Sequence, residues 1–450
     1  MNERPGAPRP SRPEPPASIA VIGGGPAGYT LVDQLRLRGY RGELTLIDPD
    51  GLPRDRPPLS KEFLRGAMGR DELLFREAAW FEERAVRVLA GRVEFLEGVR
   101  TAEDAAGWEL FLESGERILA ELAVLATGTE PVRPALPGLD RAHVLYDLPD
   151  AAWLRDALAP GVRLSVVGGG LIGAEAAAVA AERGAVVTLV DPSGPAAGRA
   201  FGAHGAGHLE SMHRERGVNV VRGRLAAVVA VPSGTAGEAE AGTAAEGGLA
   251  ASGTEGTSLL TLADGRSWVA DVVLLAAGAV ARDGLARDVG AATAPDAFGG
   301  VLVDAAGRST LPGLWAVGDV ARGTAPGGAA LPAHAHWETA VHSAEDAAAA
   351  LLGQPGEERG ARWFWSDRHG EHVEVVGDPT VGEVVRREDG RGLRGVFSVA
   401  TDGVLLGAVT FDDARLARAA RRLIDRGAPV DVGALADPEV SARELVRPAR

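Results

Sequence analysis

The sequence predicts an α/β protein made of two parallel-sheet units followed by a smaller C-terminal α+β domain. Three observations carry this expectation. A glycine-rich turn between a strand and a helix occurs at Gly23 and recurs, roughly 145 residues later, at Gly168. Around both turns, short apolar runs alternate with segments of helical spacing, the pattern of parallel βαβ units. From Trp363 onward, closely spaced apolar runs follow one another without intervening helices, as antiparallel strands do.

Ser18 to Ile22 is a short apolar run ending in glycines and predicts a buried strand. Tyr29 to Arg38 has helical spacing, and Glu43 to Ile47 supplies the second strand. Asp55 to Phe81 holds a proline-rich loop and helical stretches, and Leu122 to Thr127 is another strand. The second unit repeats the order: strand Leu164 to Val167, glycine turn, helix Ala174 to Arg183, strand Val186 to Val190, and a later strand from Asp271 to Ala277. Val301 to Asp319 leads back to the first unit. Strands are expected at Val373 to Val376, Val381 to Val385, Val396 to Ala400 and Val404 to Phe411, then a helix from Asp412 to Arg426. The expected domains are therefore 17–140 with 285–355, then 141–284 inserted within it, then 356–450. Residues 1–16 are rich in Pro and Arg and predict a disordered tail. Residues 232–258, almost all Gly, Ala, Ser, Thr and Glu, predict a mobile low-complexity insert.

With 450 residues, 46% of them hydrophobic, there is apolar material for more than one core. The formal net charge of -15 argues against nonspecific binding to nucleic acid or to anionic membranes. No apolar run reaches the ~18 residues of a membrane span, and the N-terminus has no apolar core of a signal peptide. The chain has no Cys, which excludes disulfides, thiolate metal sites and a redox-active cysteine pair, and fits a reducing, cytoplasmic home. His334, His336 and His342, and the looser set His204, His208 and His213, read as loop or helix-surface histidines, with no metal expected.

Gly23, Gly25 and Gly28 fit G-x-G-x-x-G between strand and helix, with Asp48 closing the next strand. In such a turn the first glycine permits the tight bend. The second lets a pyrophosphate approach the backbone, and the third lets helix pack on strand. The helix N-terminus offers free N–H groups and a positive dipole to phosphates, and the acid accepts from ribose hydroxyls. Gly168, Gly170 and Gly173 repeat the motif, with Asp191 as the acid. A carboxylate there repels a 2′-phosphate and so favours NADH over NADPH, although Arg199 lies near in sequence. The plainer reading, a structural turn that binds nothing, is countered by the strand, helix and acid that accompany each turn.

Four further segments point to a known family: Arg56-Pro57-Pro58-Leu59-Ser60-Lys61, Ala126-Thr127-Gly128 followed by Pro131, Leu314-Trp315-Ala316-Val317-Gly318-Asp319, and Phe364-Trp365-Ser366-Asp367. Together and in this order they resemble the NADH-dependent ferredoxin reductases that serve cytochrome P450 and Rieske oxygenase systems. The resemblance runs from about Ser18 to about Phe411. It implies two Rossmann-like domains of the glutathione-reductase type plus a C-terminal interface domain, with FAD and NADH as cofactors. It further implies that hydride passes from NADH to the flavin, whose electrons then leave singly for a ferredoxin-type [2Fe–2S] partner.

Residue by residue, the resemblance implies that Gly23, Gly25, Pro26, Ala27, Gly28 and Asp48 hold the ADP half of FAD. Arg56, Lys61, Thr127, Gly128, Arg133, Gly318, Asp319 and Trp337 would complete the FAD site, with Asp319 on the ribityl chain, Trp337 bordering the ring and Lys61 near its N5 edge. Gly168, Gly170, Leu171, Ile172, Gly173, Glu175, Asp191 and Gly278 would hold NADH, with Glu175 near the nicotinamide amide. Lys61, Glu175 and Trp337 form the expected catalytic set. Each has a plainer reading: Lys61 solvated, Asp319 a helix cap, Glu175 an ordinary first-turn helix acid, and Trp365 interface core.

The chain departs from the family pattern in several places. Val132 stands where Arg usually follows the linker proline, Ala333-x-Ala335 where Arg-x-Glu precedes the flavin tryptophan, Arg368 where Gln follows F-W-S-D, and Ala281-Arg282 where Pro-Asn is usual. Two other functions therefore stay open: an NADH oxidase or reductase acting directly on oxygen, a quinone or a small metabolite, and an NADH-sensing regulatory flavoprotein. A ferredoxin is acidic, so docking on a chain of charge -15 needs a basic face. Arg415, Arg418 and Arg422, at i, i+3 and i+7 on the C-terminal helix, supply one candidate, and a solvated helix face is the plainer reading.

Overall fold

The computed structural model describes residues 15–100, 106–192, 197–231 and 256–447. The tail expected over 1–16, apart from its last two residues, and the insert expected over 232–258, apart from 256–258, lie outside the described residues. Two compact units emerge. One comprises the described residues within 1–55, 74–129 and 280–358, the other those within 56–73, 130–279 and 359–450. The fold class expected from the sequence is the one found: two parallel-sheet assemblies and an antiparallel C-terminal sheet.

In the first unit Ser18–Ile22 lies at the centre of a five-stranded sheet, between Glu43–Asp48 and Leu122–Leu125, with Leu314–Ala316 and Val86–Ala90 at the edges. All four pairings are parallel. Such strands are covered on both faces and read as continuous apolar runs. Ala20 and Val21 accordingly have no exposed surface. On one face helix Pro26–Leu37 sets Leu31, Val32 and Leu35 against Ala344, Ala347 and Ala348 of helix Trp337–Leu351. The antiparallel sheet of Val93–Arg100, Ala106–Leu112 and Arg117–Ala120 adds Leu96, Leu110 and Ile118 to the core that covers Ala20, Ile22 and Leu125.

The second unit repeats this order. Arg163–Val167 pairs in parallel with Val186–Asp191 and Val272–Leu275, flanked by Asn219–Arg222 and His143–Val144. Helix Leu171–Glu182 buries every residue from Gly173 to Val179 and on to Ala180. A helix apolar all round belongs inside. It starts three residues earlier than its sequence spacing indicated, just as the first helix starts at Pro26 rather than Tyr29. Proline is pre-organised for the first helical position, so the glycine turn feeds straight into the helix.

The C-terminal sheet has the order Trp363–Arg368, Glu371–Gly377, Leu405–Phe411, Gly392–Val399 and Glu383–Asp389, antiparallel throughout. Its first strand, which carries the F-W-S-D segment, was not among the strands expected from the sequence. Helix Ala414–Arg426, capped by Asp413 and ended by Gly427, sets Leu416, Ala420 and Leu423 against Phe397, Val399 and Leu405. The other face is covered by helix Gly198–Glu215, through Phe201, Leu209 and Met212 against Val373, Val375 and Phe411. That helix breaks at Gly202 (φ 64°), where an added Cβ would meet the carbonyl oxygen of Pro379 at 2.3 Å. Its four glycines hide the helix from propensity, and tertiary packing overrides them. Among the described residues no helix is long and apolar enough to cross a membrane.

Candidate functional site

Both glycine turns have the same construction, and it separates the roles of the three glycines. Gly23 has φ 113° and Gly168 φ 111°, which disfavour any side chain. A Cβ on Gly23 would meet Ala126 O at 2.2 Å, and one on Gly168 would meet Ala276 O at 2.2 Å. A Cβ on Gly28 would meet Gly23 O at 1.8 Å, and one on Gly173 would meet Gly168 O at 2.0 Å. The middle glycines differ. Gly25 (φ -73°) and Gly170 (φ -66°) have ordinary backbone angles, and a Cβ on either would touch no protein atom within 4 Å. Neither conformation nor packing asks for glycine there. Close approach of a ligand to the backbone does, and that is the fit expected of a dinucleotide pyrophosphate.

Each middle glycine is the N-cap of a 12-residue helix with no side-chain cap, so the first-turn N–H groups face outward. Asp48 Oδ2 accepts from Gly24 N at 2.6 Å and Oδ1 from Asp50 N at 2.9 Å. Asp191 Oδ2 accepts from Gly169 N at 2.7 Å. These carboxylates thus hold the turns open. A carboxylate offers about four acceptor positions, so room is left for ribose hydroxyls.

Within the first unit, Gly318 (φ 71°) lies against the glycine-turn helix: its Cβ would come within 2.7 Å of the Ala27 Cβ. Its N–H donates to Ser343 Oγ at 2.8 Å, and Asp319 follows, partly buried. Thr127 Oγ1 donates to the carbonyl of Arg282 at 2.8 Å, and Gly128 takes φ 66°. Trp337 opens its helix, and its Nε1 donates to Asp55 Oδ1 at 3.0 Å.

The second unit holds Arg56 and Lys61 with Glu175, while Trp337 falls in the first. Arg56 stacks on Tyr146, 4.6 Å from its ring centre. Arg133 is exposed and donates to Ala142 O at 3.3 Å. Gly278 (φ 107°) accepts from Val132 N at 2.9 Å. Leu171 and Ile172 open the helix, with Ile172 49% exposed. Lys61 is buried at 4% exposure, and Glu175, equally buried, sits in the second turn of its helix rather than on a solvated first turn.

These two residues anchor a charged cluster. Lys61 Nζ lies 3.8 Å from Glu175 Oε1 and 3.5 Å from Asp367 Oδ2, and 5.1 Å from the Trp365 ring centre. Ser60 Oγ donates to Glu175 Oε2 and Ser366 Oγ to Oε1, both at 2.6 Å. Burial raises the Glu175 pKa, opposed by Lys61 and by the two serine hydrogen bonds. Asp367 Oδ1 pairs with His372 Nδ1 at 2.6 Å. Its pKa falls despite burial, because His372 and Lys61 favour the anion, and the same bond raises that of His372.

Two features went unseen in the sequence. Ala276-Ala277-Gly278 repeats Ala126-Thr127-Gly128, each backing the first glycine of its turn. Lining up the two glycine turns would have exposed that repeat. Ser60, Ser366 and Asp367 stand in the sequence only as members of the RPPLSK and F-W-S-D segments, and His372 carries no signal there, because residues 60, 175 and 366 meet only in the folded chain.

Comparison with known proteins agrees with this construction. Residues 17–347 match the family described as pyridine nucleotide-disulphide oxidoreductase, and residues 363–446 match the reductase C-terminal domain. The chain belongs to the pyridine nucleotide-disulphide oxidoreductase family. It is an FAD-dependent NAD(P)H oxidoreductase, and without Cys it is a member that cannot use a disulfide of its own. It is 31% identical over 434 residues to the ferredoxin–NAD(+) reductase component of the p-cumate 2,3-dioxygenase system of Pseudomonas putida, covering 95% of this chain and 98% of that one. It is 32% identical to the corresponding component of the biphenyl dioxygenase system of Paraburkholderia xenovorans (strain LB400), covering 96% and 98%. Among solved structures it is similar to the ferredoxin reductase for the CYP199A2 system from Rhodopseudomonas palustris, with TM-score 0.81, 25% identity and coverage of 95% and 99%. It shares its fold with the reductase in the covalent putidaredoxin reductase–putidaredoxin complex, with TM-score 0.80, 24% identity and coverage of 96% and 98%.

Proposed function

We propose that this protein oxidises NADH and passes the electrons singly to a ferredoxin-type [2Fe–2S] partner of an oxygenase system. One observation carries the reading: two turns of matching construction, each with a middle glycine that leaves open the face a ligand would approach, in a chain without cysteine. The similarity to ferredoxin–NAD(+) reductase components supports the choice of acceptor. FAD, when bound, supplies the hydride-accepting and one-electron-donating chemistry. The chain's own residues do the rest.

Gly25 and the N–H groups at the start of helix Pro26–Leu37 bind one pyrophosphate, and Gly170 with helix Leu171–Glu182 binds the other. Asp48 and Asp191 accept ribose hydroxyls, and Asp191 disfavours a 2′-phosphate, so NADH is the donor over NADPH. We assign Asp319 and Trp337 to the FAD site, and Lys61 with Glu175, a paired cation and carboxylate, to hydride transfer. We assign FAD binding to 17–140 with 285–355, NADH binding to 141–284 and interface formation to 356–450, and the cytoplasm as the compartment.

Arg415, Arg418 and Arg422 are exposed on helix Ala414–Arg426, whose other face is buried. We assign ferredoxin docking to this basic face, where charge complementarity would offset the net charge of -15.

The test is anaerobic addition of NADH to the FAD-loaded protein, then of a [2Fe–2S] ferredoxin, with visible spectra throughout. Flavin bleaching followed by ferredoxin-dependent reoxidation is the expected course. Bleaching reversed only by oxygen or a quinone would replace the acceptor, and a long-lived bleached complex that turns over very slowly would point to a regulatory role. Arg415→Glu with Arg418→Glu should slow ferredoxin reduction roughly tenfold at low salt, with NADH-driven bleaching unchanged. An unchanged ferredoxin rate removes the docking assignment.

A further inference from the structure

Arg368 heads the fully buried side chains of the described residues by size, with 1% of its surface exposed. It ends strand Trp363–Arg368, and its guanidinium lies 5.0 Å from the Phe201 ring centre. Nε donates to Ser366 Oγ at 3.1 Å, whereas Nη1 and Nη2 meet no hydrogen-bond acceptor among the described residues. Burial lowers its pKa only to about 10, so the group stays charged at neutral pH. A buried charge this poorly bonded needs an opposite charge nearby. That charge is Glu175, reached through Ser366, whose hydroxyl accepts from Arg368 and donates to Glu175 Oε1 at 2.6 Å.

We propose that Arg368 is a positioning residue: acting through Ser366, it fixes the Glu175 carboxylate in the orientation that engages Lys61. This rests on the function proposed above, in which Lys61 and Glu175 serve hydride transfer, and the test lets either idea fail alone.

The charge around Glu175 explains why a guanidinium matters here. Lys61 and Ser60 approach from one segment, and Ser366, Asp367 and Arg368 from the strand. His213, on helix Gly198–Glu215, bonds His369 at 2.9 Å. Burial pushes His213 down to about 2 and His369 down to about 4, so both are neutral and add no charge. His372 is held by Asp367. Asp367 therefore has His372 and Lys61 as its cations, and Glu175 has Lys61 and Arg368. Removing the guanidinium leaves Lys61 between both acids and lets Glu175, already raised by desolvation, take up a proton. A protonated Glu175 holds Lys61 more weakly. Gln, usual after F-W-S-D in the reductases the chain resembles, would keep a donor but bring no charge.

The experiment is infrared difference spectroscopy of the FAD-loaded protein across pH, with Glu175→Gln used to assign the protonated-carboxyl band of Glu175. In Arg368→Gln the band should appear at a pH higher than in wild type by about one unit or more. Ser366→Ala should move it in the same direction, and Arg368→Lys should restore most of the wild-type position. Ser366→Ala removes only a hydroxyl and guards against a folding defect in the larger replacement. A band that stays at its wild-type pH in both Arg368→Gln and Ser366→Ala overturns the proposal. Stopped-flow reduction by NADH on the same samples separates the two ideas. A rate–pH profile that moves with the band supports Glu175 beside the nicotinamide. A profile that stays put while the band moves keeps the role of Arg368 and removes that of Glu175 in hydride transfer.

Discussion

Substituting alanine for each glycine of the first turn separates folding from binding. At Gly25 the backbone angle suits any residue, and the new Cβ meets no protein atom within 4 Å. Alanine is a poorer N-cap than glycine by about 1 kcal/mol, and the stiffer unfolded chain returns about 0.4–1 kcal/mol. The apoprotein should therefore keep its denaturant midpoint. The methyl group, however, occupies the face a pyrophosphate must approach, and overpacking of this kind costs about 1–3 kcal/mol, or roughly 5- to 150-fold in FAD affinity. At Gly23 the order reverses. Its φ of 113° and a Cβ placed 2.2 Å from Ala126 O strain the apoprotein itself, by about 2–5 kcal/mol. Urea midpoints of the apoproteins and FAD titrations followed by flavin fluorescence measure both quantities. A Gly25→Ala protein that binds FAD like wild type would refute the reasoning that this glycine exists for the ligand. Gly170→Ala should behave alike toward NADH, raising its KM while flavin content stays unchanged.

Three further outcomes follow from the second unit. Lys61→Met removes one side of a buried ion pair and should destabilise the protein by about 3–5 kcal/mol, with Lys61→Met/Glu175→Gln recovering part of that loss. Strictly additive midpoints would show that the two side chains do not interact. His213 and His369, held neutral well below the ordinary histidine range, are protonated in the unfolded chain first. The stability they protect is full above about pH 6.5 and falls as pH drops below it, by about 1.4 kcal/mol per pH unit for each. Urea midpoints between pH 6.5 and 5 should show this, and His213→Leu should flatten the slope by one histidine's share. A variant running parallel to wild type would contradict the assignment. Asp191→Ser should raise kcat/KM for NADPH relative to NADH by roughly tenfold, ~1.4 kcal/mol. An unchanged ratio would place cofactor choice elsewhere, with Arg199 the first residue to examine.

Much of this protein is written locally. The glycine turns, their flanking strands and the acids Asp48 and Asp191 were legible because their spacing follows from backbone geometry within a single βαβ unit. The parallel-sheet class followed from continuous apolar runs such as Ile19 to Ile22. Local signals failed where long-range packing overrode propensity. The glycine-studded helix Gly198–Glu215 forms because Phe201, Leu209 and Met212 find a sheet to cover, and strand Trp363–Arg368 exists because Glu371–Gly377 pairs with it. The same holds for the site. The RPPLSK and F-W-S-D segments and Glu175 could each be picked out, but not that Ser60 and Ser366 bond the Glu175 carboxylate, each from more than a hundred residues away, with Arg368 behind Ser366. The sequence by itself determined which backbone turns could cradle phosphates. Only the tertiary structure decided which charges would be buried together, because the energy of a buried ion depends on neighbours that the chain brings in from afar.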